Sequence, residues 1–396
     1  MSRDWDVVVV GLGALGSATA YWASRQPGTR VLGLERFEIG HPNGASEDVS
    51  RIIRRSYHRS DYVRLTARAY ESWSEVERES EQQIVFRTGG LDVGPRVSRD
   101  GVAIDIAEYS QAMVAEGIPF ETLDGPEVVR RWPAWRLGDE HVGLFQADAG
   151  IADPSAGNVA HRRLAAAHGA VLRDRAPVAR IEGGDGETTV ILEDGETITA
   201  GKVVVAADAW TNDLLEPLGV RLPLRVTQEQ VNWFTPRGDP RLFDKDRFPI
   251  WIWMDEPSFY GLPTHGHPGP KVGQDVGGRP VTPATRTFER DDEALGRVTA
   301  FLAAHLPAIA IEPFRFRSCL YTVTPDRDFV LDALPGRPDI LVALGSAHGY
   351  KFASVIGRIM SELAIDGQTP SAGEIGEFTI GRPALDGSAT PASYVV

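Results

Sequence analysis

Length and composition limit the class of protein before any motif is considered. The chain has 396 residues, more than one hydrophobic core usually organises, so about two domains are expected. The residues are 42% hydrophobic and 24% charged, which is ordinary globular usage, and no run approaches the roughly 20 apolar residues of a membrane-spanning helix. We therefore expect a soluble protein and exclude a fibrous or fully disordered one.

Charge and cysteine content indicate which binding partners and which cellular compartment to expect. Lys and Arg number 41 against 55 Asp and Glu, a formal net charge of −14 that repels a nucleic-acid backbone. The single cysteine cannot form an intrachain disulfide, and the N-terminus lacks the pattern of a secretory signal. We expect a cytoplasmic protein that binds neither nucleic acid nor a membrane.

The first motif is a glycine-rich turn between an apolar strand and a helix. Residues 6–10 form an apolar run typical of a buried parallel strand, and the G-x-G-x-x-G turn of Gly11, Gly13 and Gly16 follows at once. The first glycine permits the tight turn, the second lets the backbone approach a pyrophosphate, and the third allows close packing of helix on strand. We predict the helix over residues 14–25.

A second strand completes a strand–helix–strand unit. It spans residues 30–34 and ends at Glu35, about 20 residues beyond Gly16, where a carboxylate can accept hydrogen bonds from a ribose diol. The strand, helix, second strand and acid together predict dinucleotide binding. The fingerprint suits NAD and FAD alike, so a nicotinamide-dependent dehydrogenase and a flavoprotein are both open at this point.

A basic segment follows the first unit. Arg51 and Arg54 are three residues apart and would share one face of a helical turn, beside two isoleucines, in an arrangement that suits an anionic group. A solvated charged face is the ordinary alternative. The other predicted elements are helices over 61–83 and 351–366, a helix and a Pro-Glu turn within 111–127, and strands over 84–93, 178–181, 188–192, 197–206 and 340–344.

Residues 222–264 have β character and carry several aromatic residues. Trp233, Trp251 and Trp253 are expected in the core of a sheet. Phe259 and Tyr260 fit either that core or the wall of a pocket, and the sequence leaves both readings open.

Several motifs together resemble one enzyme family. They are the glycine turn, Asn43-Gly44 leading to Arg51-Ile52-Ile53-Arg54, Arg131-Trp132-Pro133, Ala209-Trp210, Ser318-Cys319-Leu320-Tyr321-Thr322, Gly345-Ser346-Ala347-His348-Gly349-Tyr350-Lys351-Phe352 and Arg382-Pro383-Ala384-Leu385. Nearly the whole chain resembles the monomeric sarcosine oxidase family of FAD-dependent amino acid oxidases, whose relatives include N-methyltryptophan oxidase, pipecolate oxidase and fructosyl amino acid oxidases. The resemblance implies oxidation of the secondary amine of a small amino acid by dioxygen, with release of hydrogen peroxide.

The resemblance also implies the architecture. It is an α/β fold with a Rossmann-type FAD-binding domain, discontinuous along the chain, and an inserted antiparallel β-sheet domain for the substrate. We expect residues 1–83, 146–220 and 320–396 in the FAD-binding domain, and residues 84–145 and 221–319 in the substrate domain. The resemblance implies a monomer.

Cys319 is the only cysteine. A lone cysteine is most often a small buried apolar side chain. In the family, a cysteine before x-Tyr-Thr carries the flavin as a thioether at its 8-methyl carbon, and Cys319 matches that position. Such a tether prevents loss of the cofactor and makes the flavin a better electron acceptor.

The resemblance assigns roles to several charged side chains. Lys271 matches the lysine that activates dioxygen over the flavin, where a fixed positive charge stabilises superoxide, and Arg51 matches an arginine near the same flavin face. Arg54 and Lys351 match the pair that clamps the substrate carboxylate. Each could instead be a solvent-exposed charge. Further matches in the pocket or at the cofactor are Tyr260, Tyr321, His348, Arg36, Asn43, Ser46, Ser50, Val178, Gly345 and Gly349.

Asp275 departs from the family pattern. Sarcosine-oxidising members carry a histidine four residues after the oxygen-activating lysine, whereas this chain has Asp275 there. A carboxylate would favour a protonated amine and move the pH dependence of activity upward. The amine therefore stays open among sarcosine, N-methyltryptophan, pipecolate, proline and fructosyl amino acids.

Two further alternatives concern function and metal binding. A flavin-binding subunit that only passes electrons to a partner protein is the alternative to an oxidase. His265 and His267 flank a glycine, but no third ligand is in view, so we expect no metal site.

Overall fold

Two large sheets contain most strands of the computed structural model, which describes residues 3–97, 106–184 and 187–388. Strands β1 to β20 span, in chain order, Trp5–Val10, Val31–Leu34, Arg51–Ile53, Val85–Arg87, Gly90–Pro95, Glu121–Asp124, His141–Gln146, Gly150–Ala152, Val171–Arg173, Val178–Gly184, Glu187–Leu192, Thr197–Val205, Arg225–Pro236, Ile250–Trp253, Phe259–Leu262, Lys271–Gln274, Arg279–Pro280, Ile309–Val323, Val330–Leu334 and Arg337–Leu344. Helices α1 to α10 span Ala14–Ser24, Ser60–Ser80, Ile106–Ala115, Gly125–Arg131, Pro154–Ala167, Thr211–Leu215, Asp292–His305, Ala353–Asp366, Ala372–Ile375 and Pro383–Asp386.

The first sheet is built around β1. This valine-rich strand pairs in parallel with β2 on one side and with β12 on the other, and β20 adds in parallel to β12. Strands β10 and β11 form an antiparallel hairpin that continues into β12. Both faces of the sheet are covered by buried apolar side chains, as expected of parallel strands. The α/β class and the three strands predicted over 178–181, 188–192 and 197–206 are confirmed.

Helix α1 lies close to the sheet because of Gly16. A Cβ at this position would lie 1.8 Å from the carbonyl oxygen of Gly11, so only glycine allows the approach. Gly11 itself has φ +95°, a left-handed conformation that favours glycine. The two positions have the roles that the glycine pattern predicts for a tight turn and close packing.

The second sheet is mostly antiparallel, in the order β17-β13-β16-β15-β14-β5-β7-β6, with β18 beside β13. Its buried aromatic residues include Trp233, Trp251 and Trp253, as predicted. Phe259 is also in this core, where its ring stacks on Phe301 of α7 at 4.6 Å. The neighbouring Tyr260 lies on the other face of β15, because successive side chains of a strand alternate.

The chain passes more than once between the two sheets. Strands of the first sheet lie within residues 5–34, 171–205 and 330–344, and those of the second within 90–146 and 225–323. Strand β18 runs unbroken through the boundary predicted between residues 319 and 320. The division into FAD-binding and substrate domains stays a prediction, and its residues 98–105 and 389–396 lie outside the described residues.

Arg51 and Arg54 do not share a helical turn. Arg51 begins β3, whose two isoleucines pair with β8, so cross-strand pairing of β-branched residues outweighs the helical spacing. Residues 111–127 contain the predicted helix, as part of α3, but Pro126 and Glu127 belong to a second helix instead of a turn. Helix α3 ends before β6, and α4 begins anew at Gly125, where the Asp124 carboxylate accepts a hydrogen bond from the Glu127 N–H as an N-cap.

Two other elements differ from their predicted bounds. The strand predicted over 84–93 is divided into β4 and β5, with Gly89 between them at φ +73°. Helix α8 begins after a 3-10 turn, Gly349–Phe352, instead of at residue 351.

The contact at Gly16 gives a stability prediction. Gly16→Ala should lower the free energy of unfolding by about 1–3 kcal/mol, the usual cost of an inserted methyl group in a packed site. Gly296→Ala is the matched control, because a Cβ there meets no atom within 4 Å on the exposed side of α7. It should stabilise by roughly 0.5–1 kcal/mol. Urea unfolding measures both, and equal midpoints for the two variants would contradict this packing.

Candidate active site

One cavity joins the two sheets. Its volume is about 470 Å³, within the roughly 300–1,000 Å³ typical of small-molecule sites. It begins at the glycine turn after β1, passes the ends of β2, β12 and β20, and continues to β15, β16 and β18 of the second sheet. Ligands of open α/β sheets bind at this carboxyl edge of the strands.

The N-terminus of α1 forms one wall of the cavity. Gly13 caps the helix without a side-chain acceptor, and Gly13, Ala14 and Leu15 line the cavity. The Ala14 N–H donates to Ser46 Oγ at 2.9 Å. Backbone N–H groups and the positive end of the helix dipole make this wall suitable for a phosphate.

Glu35 lies beside that wall. Its carboxylate accepts hydrogen bonds from the Leu12 N–H at 2.9 Å and the Phe37 N–H at 3.0 Å, and it contacts His41. Burial opposes ionisation, but these hydrogen bonds, with His41 the strongest, outweigh it and lower the pKa of Glu35. A buried carboxylate that stays ionised can accept hydrogen bonds from a ribose.

Lys271, at the start of β16, provides a buried positive charge. Its Nζ donates to Asp48 Oδ2 and to the Ser50 carbonyl, both at 2.6 Å, and only 2% of the residue is exposed. Burial lowers the pKa of Lys271 to about 8, although the attraction of Asp48 opposes this change. The side chain therefore lies in a position where small changes in its surroundings alter its charge.

Asp48 is a functional candidate that the sequence analysis missed. It accepts hydrogen bonds from both Lys271 and Arg51. Burial would raise the pKa of Asp48, but the two cations outweigh burial and hold it below its ordinary value. The local signal was an acid three residues before Arg51. The pairing with Lys271, 223 residues away, has no local signal.

Lys351 is the second buried lysine of the cavity. Its Nζ lies 5.5 Å from the centre of the Tyr57 ring, and among the described residues no side chain forms an ion pair with it. Burial, followed by the nearby Arg54, lowers the pKa of Lys351 well below its ordinary value. An anionic ligand would stabilise this charge.

Arg54 lies behind Lys351 and outside the lining of the cavity. Its Nη1 donates to Asp92 Oδ1 at 2.8 Å, in a pair that is almost fully buried. Its Nε and Nη2 are buried and have no hydrogen-bond partner among the described residues.

Asp275 lines the cavity but its charge is compensated. Arg327 holds the carboxylate with two hydrogen bonds, Nη1 to Oδ2 at 2.8 Å and Nη2 to Oδ1 at 3.1 Å. The sequence analysis considered Asp275 without this partner. The upward shift in the pH dependence of activity was expected for an isolated anion, whereas an ion pair forms this wall.

Three further side chains complete this end of the cavity. Tyr260 and Tyr321 line it, whereas the neighbouring Cys319 is buried outside its lining. Burial raises the pKa of the Cys319 thiol to about 11, although Arg51 opposes this change. His348 lines the cavity, and burial, followed by Lys351 and Arg327, lowers its pKa well below 6.5, so the imidazole is neutral.

The chain matches the family model described as FAD dependent oxidoreductase over residues 6–363. Two similar proteins are the monomeric sarcosine oxidases of Arthrobacter sp., 32% identical over 97% of this chain and 98% of the relative, and of Streptomyces avermitilis, 35% identical over 93% and 96%. The chain belongs to the FAD-dependent oxidoreductase family. A solved structure of NikD, an unusual amino acid oxidase essential for nikkomycin biosynthesis, is 30% identical, with a TM-score of 0.82 over 96% of this chain and 98% of that one.

Family membership decides between the two dinucleotides, and the residues of the cavity fit FAD. The glycine turn leaves little room at Gly11, where a Cβ would lie 2.5 Å from the Ala206 carbonyl oxygen. The cavity continues from the N-terminus of α1, the wall suited to phosphate, to Lys271 and Tyr321. One ligand with a pyrophosphate and a large ring system can therefore extend along it. A nicotinamide-dependent dehydrogenase is set aside.

The cavity brings together most of the site residues expected from the sequence. Those in its lining are Gly11, Gly13, Glu35, Arg36, Ser46, Ser50, Arg51, Val178, Tyr260, Lys271, Asp275, Tyr321, Gly345, His348, Gly349 and Lys351. Those outside it are Gly16, Asn43, Arg54 and Cys319. Asn43 lies nearby, where its carbonyl accepts a hydrogen bond from Arg286 at 2.6 Å. The roles of all these residues stay predictions.

His265 and His267 contact other side chains. His265 Nε2 lies 2.9 Å from Asp153 Oδ2, and the His267 ring packs edge-on against Trp233. In residues 3–97, 106–184 and 187–388 no group of three or more His, Cys, Asp or Glu side chains could hold a metal ion. Nor does this part of the chain contain a helix long and apolar enough to cross a membrane.

Proposed function

We propose that the protein oxidises the secondary amine of a small amino acid, sarcosine first, with dioxygen, and that it releases an imine and hydrogen peroxide. The observation that carries this proposal is the different pairing of the two buried lysines. Lys271 has an anionic partner in the protein, and Lys351 has none among the described residues. The cavity thus holds one ammonium group paired within the protein and one lysine whose charged form a substrate anion would stabilise.

Lys351 binds the substrate carboxylate in this proposal. A buried ammonium group without a partner is costly, and a carboxylate restores a charge-assisted hydrogen bond. Arg54 contributes the Nε and Nη2 donors that lack partners. Two cations at one end fix the orientation of the substrate, which places its amine toward Asp275 and His348.

FAD, when bound, accepts the two electrons of the amine oxidation and transfers them to dioxygen. The side chains of this protein prepare the substrate for that step. The amine must be neutral before oxidation, and the neutral His348 and the paired Asp275 avoid an isolated negative charge that would keep it protonated.

Lys271 acts in the reaction with dioxygen. A preorganised positive charge stabilises negative charge that develops on dioxygen as electrons arrive. Asp48 and the Ser50 carbonyl fix the ammonium group, so no reorganisation is required during the reaction. The relatives support this role because they are oxidases, as the name sarcosine oxidase states.

Cys319 carries the FAD covalently in this proposal. It lies two residues before Tyr321 within β18, so the two side chains are on the same face of the strand, and Tyr321 lines the cavity. We also propose that the two sheets divide as expected, into FAD-binding and substrate domains, and that the protein is a cytoplasmic monomer. The name of the relatives supports the monomer.

The thioether gives the first functional prediction. FAD should remain with the protein after acid precipitation, and Cys319→Ala should release it, because the variant lacks the sulfur of the bond. Intact mass spectrometry measures the adduct directly. A supernatant that contains all the flavin of the unmodified protein would show that attachment is noncovalent, whatever the enzyme oxidises.

Lys271→Met should slow reoxidation of the reduced enzyme by about 10²-fold or more, because the charge beside dioxygen is lost. Reduction by substrate without oxygen should change little. The reoxidation rate of the unmodified protein should fall as pH rises through about 8, where Lys271 loses its proton, and the variant should lack this dependence.

Lys245→Met is the matched control for this prediction, since Lys245 is exposed and does not line the cavity. Stopped-flow absorbance at several pH values separates the two half-reactions. Equal losses in reduction and reoxidation would assign Lys271 another role.

Lys351→Met should raise the apparent substrate constant for sarcosine by roughly 10- to 100-fold, the equivalent of a lost charge-assisted hydrogen bond of about 1.5–3 kcal/mol. Simple N-methyl amines, which lack the carboxylate, should be poor substrates of both proteins and respond little to the change. A peroxide-coupled assay compares them. If amines without a carboxylate were turned over as well as sarcosine, the protein would be a general amine oxidase.

A further inference from the structure

Arg327 has an unusual backbone conformation next to the cavity. Its φ is +61°, in the left-handed region, where a residue other than glycine costs of order 1–3 kcal/mol. It stands in the turn between β18 and β19, outside the motifs that the sequence analysis used for the site. Strain of this kind persists only when the surroundings enforce it, and it occurs most often at functional sites.

The surroundings of the turn do enforce it. The Arg327 N–H donates to the Thr324 carbonyl at 3.1 Å, and Thr324 Oγ1 donates to the Asp328 carbonyl at 2.8 Å. Arg382 holds the turn from outside through two hydrogen bonds to Asp326 and one to the Asp328 carbonyl. The position of Arg327 is therefore fixed independently of its own side chain.

Arg327 makes two contacts with the wall of the cavity. Its guanidinium group binds Asp275 through two parallel hydrogen bonds, and its carbonyl oxygen lies 2.9 Å from His348 Nε2. A carbonyl can only accept, so the neutral His348 carries its proton on Nε2. Its Nδ1 is then an acceptor, and it has no hydrogen-bond partner in the part of the chain that the structure describes. One residue thus pairs with the Asp275 carboxylate and fixes the tautomer of His348.

The two groups that Arg327 contacts, the Asp275 carboxylate and the His348 imidazole, can both accept a hydrogen bond. Asp275 and His348 line the cavity, whereas the Arg327 guanidinium lies behind Asp275. Lys351 lies at the same end, and an anionic ligand would stabilise its charged form. A ligand with a carboxylate and an N–H group matches this arrangement.

We propose that Arg327 is a positioning residue for the substrate amine: it neutralises Asp275 and orients His348, so that the cavity selects α-amino acids whose neutral secondary amine donates its N–H to this wall. The inference rests on the proposed function. It adds that Arg327 determines how the substrate amine is bound and which protonation state of the amine is favoured.

The charge on the cavity wall formed by Asp275 and Arg327 has a predictable effect on the protonation of the bound amine. The charged and titratable groups that face Asp275 from the surrounding elements are Arg327, Glu229, Glu256, Tyr109, Tyr321 and Lys351. Of these, only Arg327 binds the carboxylate through two hydrogen bonds. Its loss leaves an anion beside the amine, which favours the protonated form and raises the pKa of the bound amine.

The test uses the FAD-loaded protein and sarcosine without oxygen. The rate of flavin reduction is followed against pH for Arg327→Met, Asp275→Asn and the double variant. In Arg327→Met the profile should move up by about 1–3 pH units, the usual effect of a nearby charge. In Asp275→Asn it should move down, because an unpaired guanidinium group disfavours the protonated amine. The double variant should return close to the unmodified protein.

Two controls separate this effect from damage to the fold. Arg327→Lys keeps the charge and should restore most of the profile, and Arg382→Lys weakens the same turn without contacting the cavity and should not shift it. If Arg327→Met does not fold, the downward shift in Asp275→Asn still tests the proposal.

The outcomes distinguish the two proposals. An unmodified protein that no secondary amino acid reduces would overturn the proposed function and the role of Arg327 with it. Reduction of the unmodified protein combined with an unshifted profile in both single variants would overturn the role of Arg327 alone. Equal shifts in Arg327→Met and Arg382→Lys would show a merely structural role.

Discussion

The structure depends on how positive charge is buried between the two sheets. A buried ammonium or guanidinium group is costly unless it is paired and hydrogen-bonded. Lys271 meets this condition inside the protein through Asp48, and Arg327 meets it through Asp275. Lys351 has no such partner within residues 3–97, 106–184 and 187–388, so its charge requires a ligand. The chain has only four lysines against many arginines, and two of them lie in this cavity. Lysine, unlike arginine, can lose its proton on burial, which suits sites where charge must be adjustable.

The two sheets are needed together to create this arrangement. Lys271 lies on β16 of the second sheet, and Lys351 follows β20 of the first sheet. The glycine turn after β1 supplies the phosphate wall at the other end of the same cavity. Each group is held by an element with its own packed core, so the distances between them are set by how the sheets join. A substrate bound by Lys351 is therefore placed relative to a cofactor bound by the first sheet.

Local features of the fold could be predicted from the sequence, and pairings across it could not. The glycine turn, α1, β2 and Glu35 follow from short-range patterns of apolar and glycine residues. The helical turn expected at Arg51 was wrong because pairing with β8 decided its conformation. Asp48 and Arg327 were missed because their partners, Lys271 and Asp275, are distant in sequence. The resemblance identified most residues of the cavity but not the ion pairs that control them, and the scarcity of lysine was an unused signal.

The central claim is that this chain alone completes oxidation of an amino acid with dioxygen. The most direct measurement is the stoichiometry of the purified FAD-loaded protein with limiting sarcosine, in which oxygen consumed, peroxide formed and amine oxidised are determined together. The account predicts equal amounts of all three without another protein. Reduction of the flavin by sarcosine with no reoxidation by dioxygen, until an external electron acceptor is added, would contradict it and indicate an electron-transfer subunit.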